Sequence, residues 1–123
     1  MKNQAYRMAI LFDFYGDLLT ERQREFYYLY YNEDLSLAEI AENYGISRQG
    51  VRDVIVRAEA AMTEIEDKTH IIRRFQQSRQ AIAAISQAAD KLLQSIDRRS
   101  YNDAMLDEIA RTIKENAARL EQE

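Results

Sequence analysis

The chain has 123 residues, 46% of them hydrophobic and 31% charged, with no Pro, Cys or Trp and only three Gly. That hydrophobic share excludes a disordered chain, and the length suits one domain, or one small domain with a helical extension. Zero Cys excludes disulfides, cysteine–zinc centres, iron–sulfur clusters and thiol nucleophiles, while the net charge of −4 excludes a surface that is basic throughout.

At the N-terminus the apolar run Met8-Ala9-Ile10-Leu11-Phe12 is ended by Asp13, too early for a signal-peptide core. No run approaches the roughly 18 apolar residues of a membrane span. The expectation is a cytoplasmic protein with no membrane insertion. Helices are expected near residues 3–15, 20–32, 36–43, 47–67, 69–96 and 101–121, with short loops and no strand pattern, so the fold class is all-α. Thr20 with Gln23 and Ser36 with Glu39 fit the capping box, in which a hydroxyl and the side chain three residues on satisfy each other's amides. Ser47 and Ser100 are further N-cap candidates. Gly16 and Gly45 stand where helices should end, because Gly accepts the left-handed conformation. Ten of the twelve Phe and Tyr fall in residues 1–44, which places a compact aromatic core there. The Tyr27, Tyr28, Tyr30 and Tyr31 run covers more than one side of its helix, so some rings face outward or toward a partner.

Residues 37–56 carry a helix-turn-helix pattern, with the motif as a whole at 36–58. Ile40, Ala41, Tyr44, Gly45, Ile46, Val51 and Val54 occupy its packing places. Ala41 allows close helix approach and Gly45 supplies the turn. Ser47, Arg48, Gln49, Arg52, Asp53 and Val56 should project outward. Ser47, Arg48, Gln49, Arg52 and Arg57 are the candidate nucleic-acid or partner contacts, since Arg and Gln at such a helix start read groove edges and phosphates. The same unit also serves as a packing or protein-docking module. Residues 1–68 hold eight basic and thirteen acidic side chains, a net −5, whereas 47–58 alone is +2. Glu33, Asp34, Glu39 and Glu42 precede that stretch, and Glu59, Glu64, Glu66 and Asp67 follow it. A footprint of two or three Arg in such surroundings predicts weak, salt-sensitive binding. Gly50 lowers helix propensity by about 1 kcal/mol relative to Ala and opens a gap on the reading face.

The helix-turn-helix domain is expected over 1–68 and a helical extension, an antiparallel hairpin of long helices, over 69–123. Asp67-Lys68-Thr69 is the weakest point between them. Phe75, Ser78, Ile82, Ile85, Ala89, Leu92 and Ile96 alternate steps of three and four, a heptad seam repeated by Leu106, Ile109, Ile113, Asn116 and Leu120. These stripes either extend the core or pair with a second chain, making a homodimer through the C-terminal helices. No Asp or Glu lies between Lys68 and Ala89, so Lys68, Arg73, Arg74 and Arg79 form a secondary basic face. That face suits an RNA backbone or an acidic partner helix, or is simply a solvated helix face.

Three Gly cannot make a phosphate-binding loop. His70 is the only His, and with Glu66 or Asp67 it is at most half of a carboxylate-bridged metal site. No metal, no cofactor and no catalytic residue is expected.

Two resemblances bear on function. Residues 19–57, through Leu19-Thr20-Glu21-Arg22-Gln23-Arg24-Glu25, Leu29, Tyr31, Ser36-Leu37-Ala38-Glu39-Ile40-Ala41 and Gly45-Ile46-Ser47-Arg48-Gln49, resemble region 4 of bacterial sigma factors, which binds the −35 promoter element. With the Met8–Tyr15 lead-in, the Tyr30-Tyr31 pair and the helical tail, the chain resembles the YlxM family of small helical bacterial proteins over about residues 5–75. That resemblance implies a non-enzymatic regulator of the signal recognition particle pathway, with the particle's GTPase, its receptor or its RNA as partner. The sigma-like motif implies the alternative, a sequence-specific DNA-binding transcription regulator using Arg48, Gln49 and Arg52.

Overall fold

Helix starts in this chain are set by polar side chains that accept the first free amides. Thr20 and Ser36 each accept the N–H three residues on, and Gln23 and Glu39 return a bond to the cap amide, so both capping boxes form. Ser47 caps in the same way through Gly50 N–H at 3.0 Å. In the computed structural model, which describes residues 5–122, the result is all-helical: α1 (Ala5–Tyr15), a 3₁₀ turn (Gly16–Leu18), α2 (Glu21–Tyr31), α3 (Leu37–Tyr44), α4 (Arg48–Thr69), α5 (Ile71–Asp97) and α6 (Asp103–Glu121). Residues 3 and 4 of the expected first helix lie outside the described residues.

Three local expectations are corrected. Ser100 does not cap α6. Its N–H donates to the Ser95 carbonyl, with Arg99 left-handed at φ 52°, so it finishes α5, and Asn102 caps α6 instead through Met105 N–H. Gly16 ends α1 without a left-handed φ. A Cβ there would sit 3.1 Å from the Phe12 ring, so a larger residue requires that ring to shift by a few tenths of an ångström. The joint after α4 is not a stretch at Asp67–Thr69 but the single residue His70, left-handed at φ 55°, whose N–H donates to Glu66 O.

The described chain divides into two compact units, one ending at Ile72 and the other beginning at Arg73. In the first, α1, α2 and α3 all pack on α4. Val51, Ile55, Ala58 and Met62 recur at steps of four, three and four and are wholly buried. At about 1.5–3 kcal/mol for each fully buried Val, Ile or Met, that stripe contributes roughly 5–9 kcal/mol before entropy is charged against it. Phe26, Tyr27 and Tyr30 from α2, Met8, Leu11 and Tyr15 from α1, and Ile40 and Ala41 from α3 complete the core. Buried Tyr27 is tolerated because its hydroxyl donates to the Met8 carbonyl at 2.5 Å, and Phe12 stacks on its ring. Tyr28 is the exposed member of the tyrosine run.

In the second unit α6 runs back alongside α5, with Ser95 Oγ touching Met105 Sδ near the loop. Part of the expected seam on α5 holds: Ser78, Ile85, Ala89 and Leu92 are half-buried, but the buried positions are Ala81, Ala88 and Ser95, each one residue before an expected one. Phe75, Ile82 and Ile96, expected inside, are about half exposed. The most buried positions of α5 in this unit hold small side chains, while Phe75, Ile82, Leu93 and Ile96 are left largely outside. On α6 the expected stripe holds: Ile109 is buried and Leu106, Ile113, Asn116 and Leu120 are half-buried.

Candidate partner-binding surface

The turn from α3 into α4 is made by Gly45, at φ 66° and ψ 31°, whose N–H donates to the Ala41 carbonyl together with that of Ile46. Only a residue without Cβ adopts this conformation freely. Ile40, Ala41 and Val51 are buried across the turn, and Tyr44, Ile46 and Val54 are half-buried against them. Gly50 does not open a gap on the outward face. Its Cβ direction meets Ser47 Oγ at 3.2 Å and Ile46 Cδ1 at 3.7 Å, so the position faces the turn.

Ser47, Arg48, Gln49, Arg52, Asp53 and Arg57 are exposed, whereas Val56 is half-buried in a groove with Arg7 and Met8. At about 100° per residue, Arg48 and Arg52 lie roughly 40° apart on one side of α4, while Arg57 lies about 180° from Arg48. The first two make one cationic spot and Arg57 points away from it. Gln49 Nε2 donates to Asp53 Oδ1 at 2.9 Å, which holds both polar groups to the helix surface. No ion pair engages Arg48, Arg52 or Arg57 among the described residues.

Several of the flanking carboxylates are engaged internally. Glu59 accepts the Tyr31 hydroxyl at 2.5 Å; burial first, and then this bond, raises the Tyr31 hydroxyl well above its ordinary range. Glu66 Oε1 accepts both the Tyr15 hydroxyl at 2.6 Å and Ile72 N–H at 2.9 Å. Burial, followed by that bond, raises Tyr15. Glu66 therefore clasps α1 and the first turn of α5 to the end of α4. Sequence alone places it among the repelling acids, since nothing local marks a bond to a tyrosine 51 positions away.

The secondary basic residues of α5 do not share one side of their helix. Lys68 is paired with Glu64 at 2.9 Å on α4, which raises the lysine and lowers the glutamate. On α5, Arg73, Arg74 and Arg79 project in three directions separated by about 100–140°. Arg79 lies over the Phe75 ring at 5.8 Å.

Among the described residues no three His, Asp or Glu side chains converge, and no buried side-chain nitrogen or oxygen lacks a hydrogen-bond partner. His70 is exposed and ends α4. No described helix is long and apolar enough to cross a membrane.

Residues 2–101 match a family model described as "Putative helix-turn-helix protein, YlxM / p13 like". A UPF0122 protein of Bacillus thuringiensis is 47% identical over 87 residues, which cover 71% of this chain and 79% of that protein. The UPF0122 protein BH2485 of Halalkalibacterium halodurans is 42% identical over 106 residues, covering 79% of this chain and 97% of the relative. A third UPF0122 protein, from Desulforamulus reducens, is 44% identical over 85 residues, covering 69% of this chain and 73% of the relative.

Proposed function

This chain belongs to the UPF0122 family of YlxM / p13-like helix-turn-helix proteins, and from that premise we propose that it is a non-catalytic, cytoplasmic accessory protein of the signal recognition particle pathway. It acts by binding: the start of α4 docks on the particle's GTPase, its receptor or its RNA. The observation that supports this reading is the Arg48–Arg52 pair, exposed, free of ion pairs and surrounded by a domain of net charge −5. Two adjacent cations fit a short acidic protein surface or a pair of RNA phosphates. Duplex recognition at physiological salt draws on a broader set of phosphate contacts.

A second reading rests on the exposed helix that follows the Gly45 turn, the geometry with which a major groove is entered. On that reading the chain is a sequence-specific transcription regulator. Against it stands the Gln49–Asp53 bond, which occupies a base-reading amide and sets a carboxylate beside it.

Titration of the full chain against signal recognition particle RNA, the purified GTPase and its receptor, and mixed-sequence duplex DNA separates the two. The proposal expects binding to the particle's RNA, its GTPase or the receptor that is lost in Arg48→Glu/Arg52→Glu and kept in Arg57→Glu. Nanomolar duplex binding lost in the same pair installs the transcription reading instead. Absence of binding to any of the four sinks both.

A further inference from the structure

Among the described residues of the second unit only Ala81, Ala88, Ser95 and Ile109 are buried, three of them small. So thin an interior is little for a two-helix unit to stand on. Meanwhile α5 carries a second stripe, Phe75, Ile82, Leu93 and Ile96, that is 47–65% exposed.

The two sides of the hairpin differ. On one, a groove is lined by Gln87, Lys91, Glu108 and Thr112 together with Ala84, Ala88 and Ile109, and no large apolar side chain is exposed there. Taking about 100° per residue around each helix, the opposite side gathers the exposed stripe of α5 with Leu106 and Ile113 of α6. Its members lie seven, eleven and three residues apart on α5 and seven apart on α6, each close to a whole number of helical turns, so what fits it is another pair of helices.

We propose that this apolar side of the α5–α6 hairpin is the interface with a second copy of the chain, closing an antiparallel four-helix bundle. Size is the first support. From Phe75 to Ile96 the stripe runs about 30 Å and two helices span about 20 Å, or roughly 600 Å² per copy and 1,200 Å² for the pair, which reaches the lower end of specific interfaces.

Charge complementarity is the second. Arg79 and Asp90 border the stripe on α5, and Lys114 and Glu121 border it on α6; none of the four is in an ion pair among the described residues. Contacts of Ser95 with Met105, and a groove shared by Ala81 and Leu120, fix which residues are level along the hairpin. A two-fold axis along the bundle sets each α5 against the other copy's α6. Arg79 then lies level with the second copy's Glu121, and Asp90 within about one turn of its Lys114.

Sedimentation or light scattering of the full chain, over a wide concentration range, tests this. The wild type is expected at about twice its 14.4 kDa chain mass. Ile82→Glu/Leu93→Glu, at exposed positions, is expected to weaken self-association at least about 100-fold with helix content unchanged. Gln87→Glu on the polar side leaves the mass as it was. Arg79→Glu alone weakens the dimer about fivefold, and adding Glu121→Arg restores it. A wild type that stays monomeric, or a dimer indifferent to the Ile82/Leu93 pair, overturns the proposal. A charge swap without rescue overturns this pairing of α5 with α6.

Discussion

Glu66 offers the sharpest quantitative test of how the first unit is held. Its Oε1 accepts the Tyr15 hydroxyl at 2.6 Å and Ile72 N–H at 2.9 Å. A hydrogen bond to a charged group contributes about 1.5–3 kcal/mol. Two such bonds do not simply add here, because one acceptor atom serves both and Tyr15 has a fallback, lying 3.4 Å from Thr69 Oγ1. Glu66→Ala is therefore expected to cost about 2–3 kcal/mol, leaving the buried Tyr15 hydroxyl poorly satisfied. Glu66→Gln keeps an acceptor for each donor and should cost about 1 kcal/mol, as should Tyr15→Phe. In the double-mutant cycle of Glu66→Ala with Tyr15→Phe the coupling should be about 1–1.5 kcal/mol. Urea unfolding followed by tyrosine fluorescence suits the measurement, since seven of the eight Tyr lie in residues 1–44 and report the first unit. Coupling within about 0.3 kcal/mol of zero would falsify the clasp. So would Glu66→Gln costing as much as Glu66→Ala.

At the Gly45 turn, Gly45→Ala is expected to cost about 1–2 kcal/mol, all of it conformational, because nothing lies within 4 Å of the added Cβ. Gly45→Asn should cost less, and equal losses in the two variants by urea unfolding would contradict the left-handed assignment. Alkali is the second test. Burial foremost raises both Tyr27 and Tyr31 above the ordinary value of 10.0. Above that pH the unfolded chain gives up protons the folded chain keeps. The contribution is therefore complete below pH 10 and declines as pH rises beyond it, and Tyr31→Phe should flatten that decline. For RNA, removing two phosphate contacts at Arg48 and Arg52 should lower the salt slope by about 1.4. Between 50 and 200 mM salt the wild type then loses about sevenfold more affinity than the double variant, read by fluorescence anisotropy.

Local chemistry made much of this fold legible in advance. Thr20 with Gln23 and Ser36 with Glu39 cap helices because both partners sit within one turn, so no distant element can overrule them. Gly45 was equally readable, as its φ of 66° is one that few other residues accept. His70 takes φ 55° without being Gly, held by bonds on both sides of it, and no sequence pattern announces that. Ser100 and Asn102 are both competent caps; the choice was decided by the return of Ser100 N–H to Ser95. On α5 two stripes interleave one residue apart. Size favours the one with Phe75 and Ile82, but close approach of α6 favours Ala81 and Ala88, and this depends on a neighbour the stripe itself does not encode. At the candidate surface the exposure of Arg48, Gln49 and Arg52 was legible and the directions of the arginines were not. Arg57 joins Arg48 and Arg52 by proximity in sequence, yet nine positions turn a helix through about 180°.

The division of labour within α4 has a consequence for how such proteins diverge. One arc of the helix, Val51, Ile55, Ala58 and Met62, bears the packing of three other helices; the other, beginning with Arg48, Gln49 and Arg52, bears no packing at all. Substitutions on the outer arc leave folding nearly untouched, and substitutions on the inner arc leave the outer chemistry in place. What the scaffold touches and how well it stands are thus inherited as separate traits. One four-helix scaffold can therefore exchange a handful of outward side chains at almost no risk to its own folding.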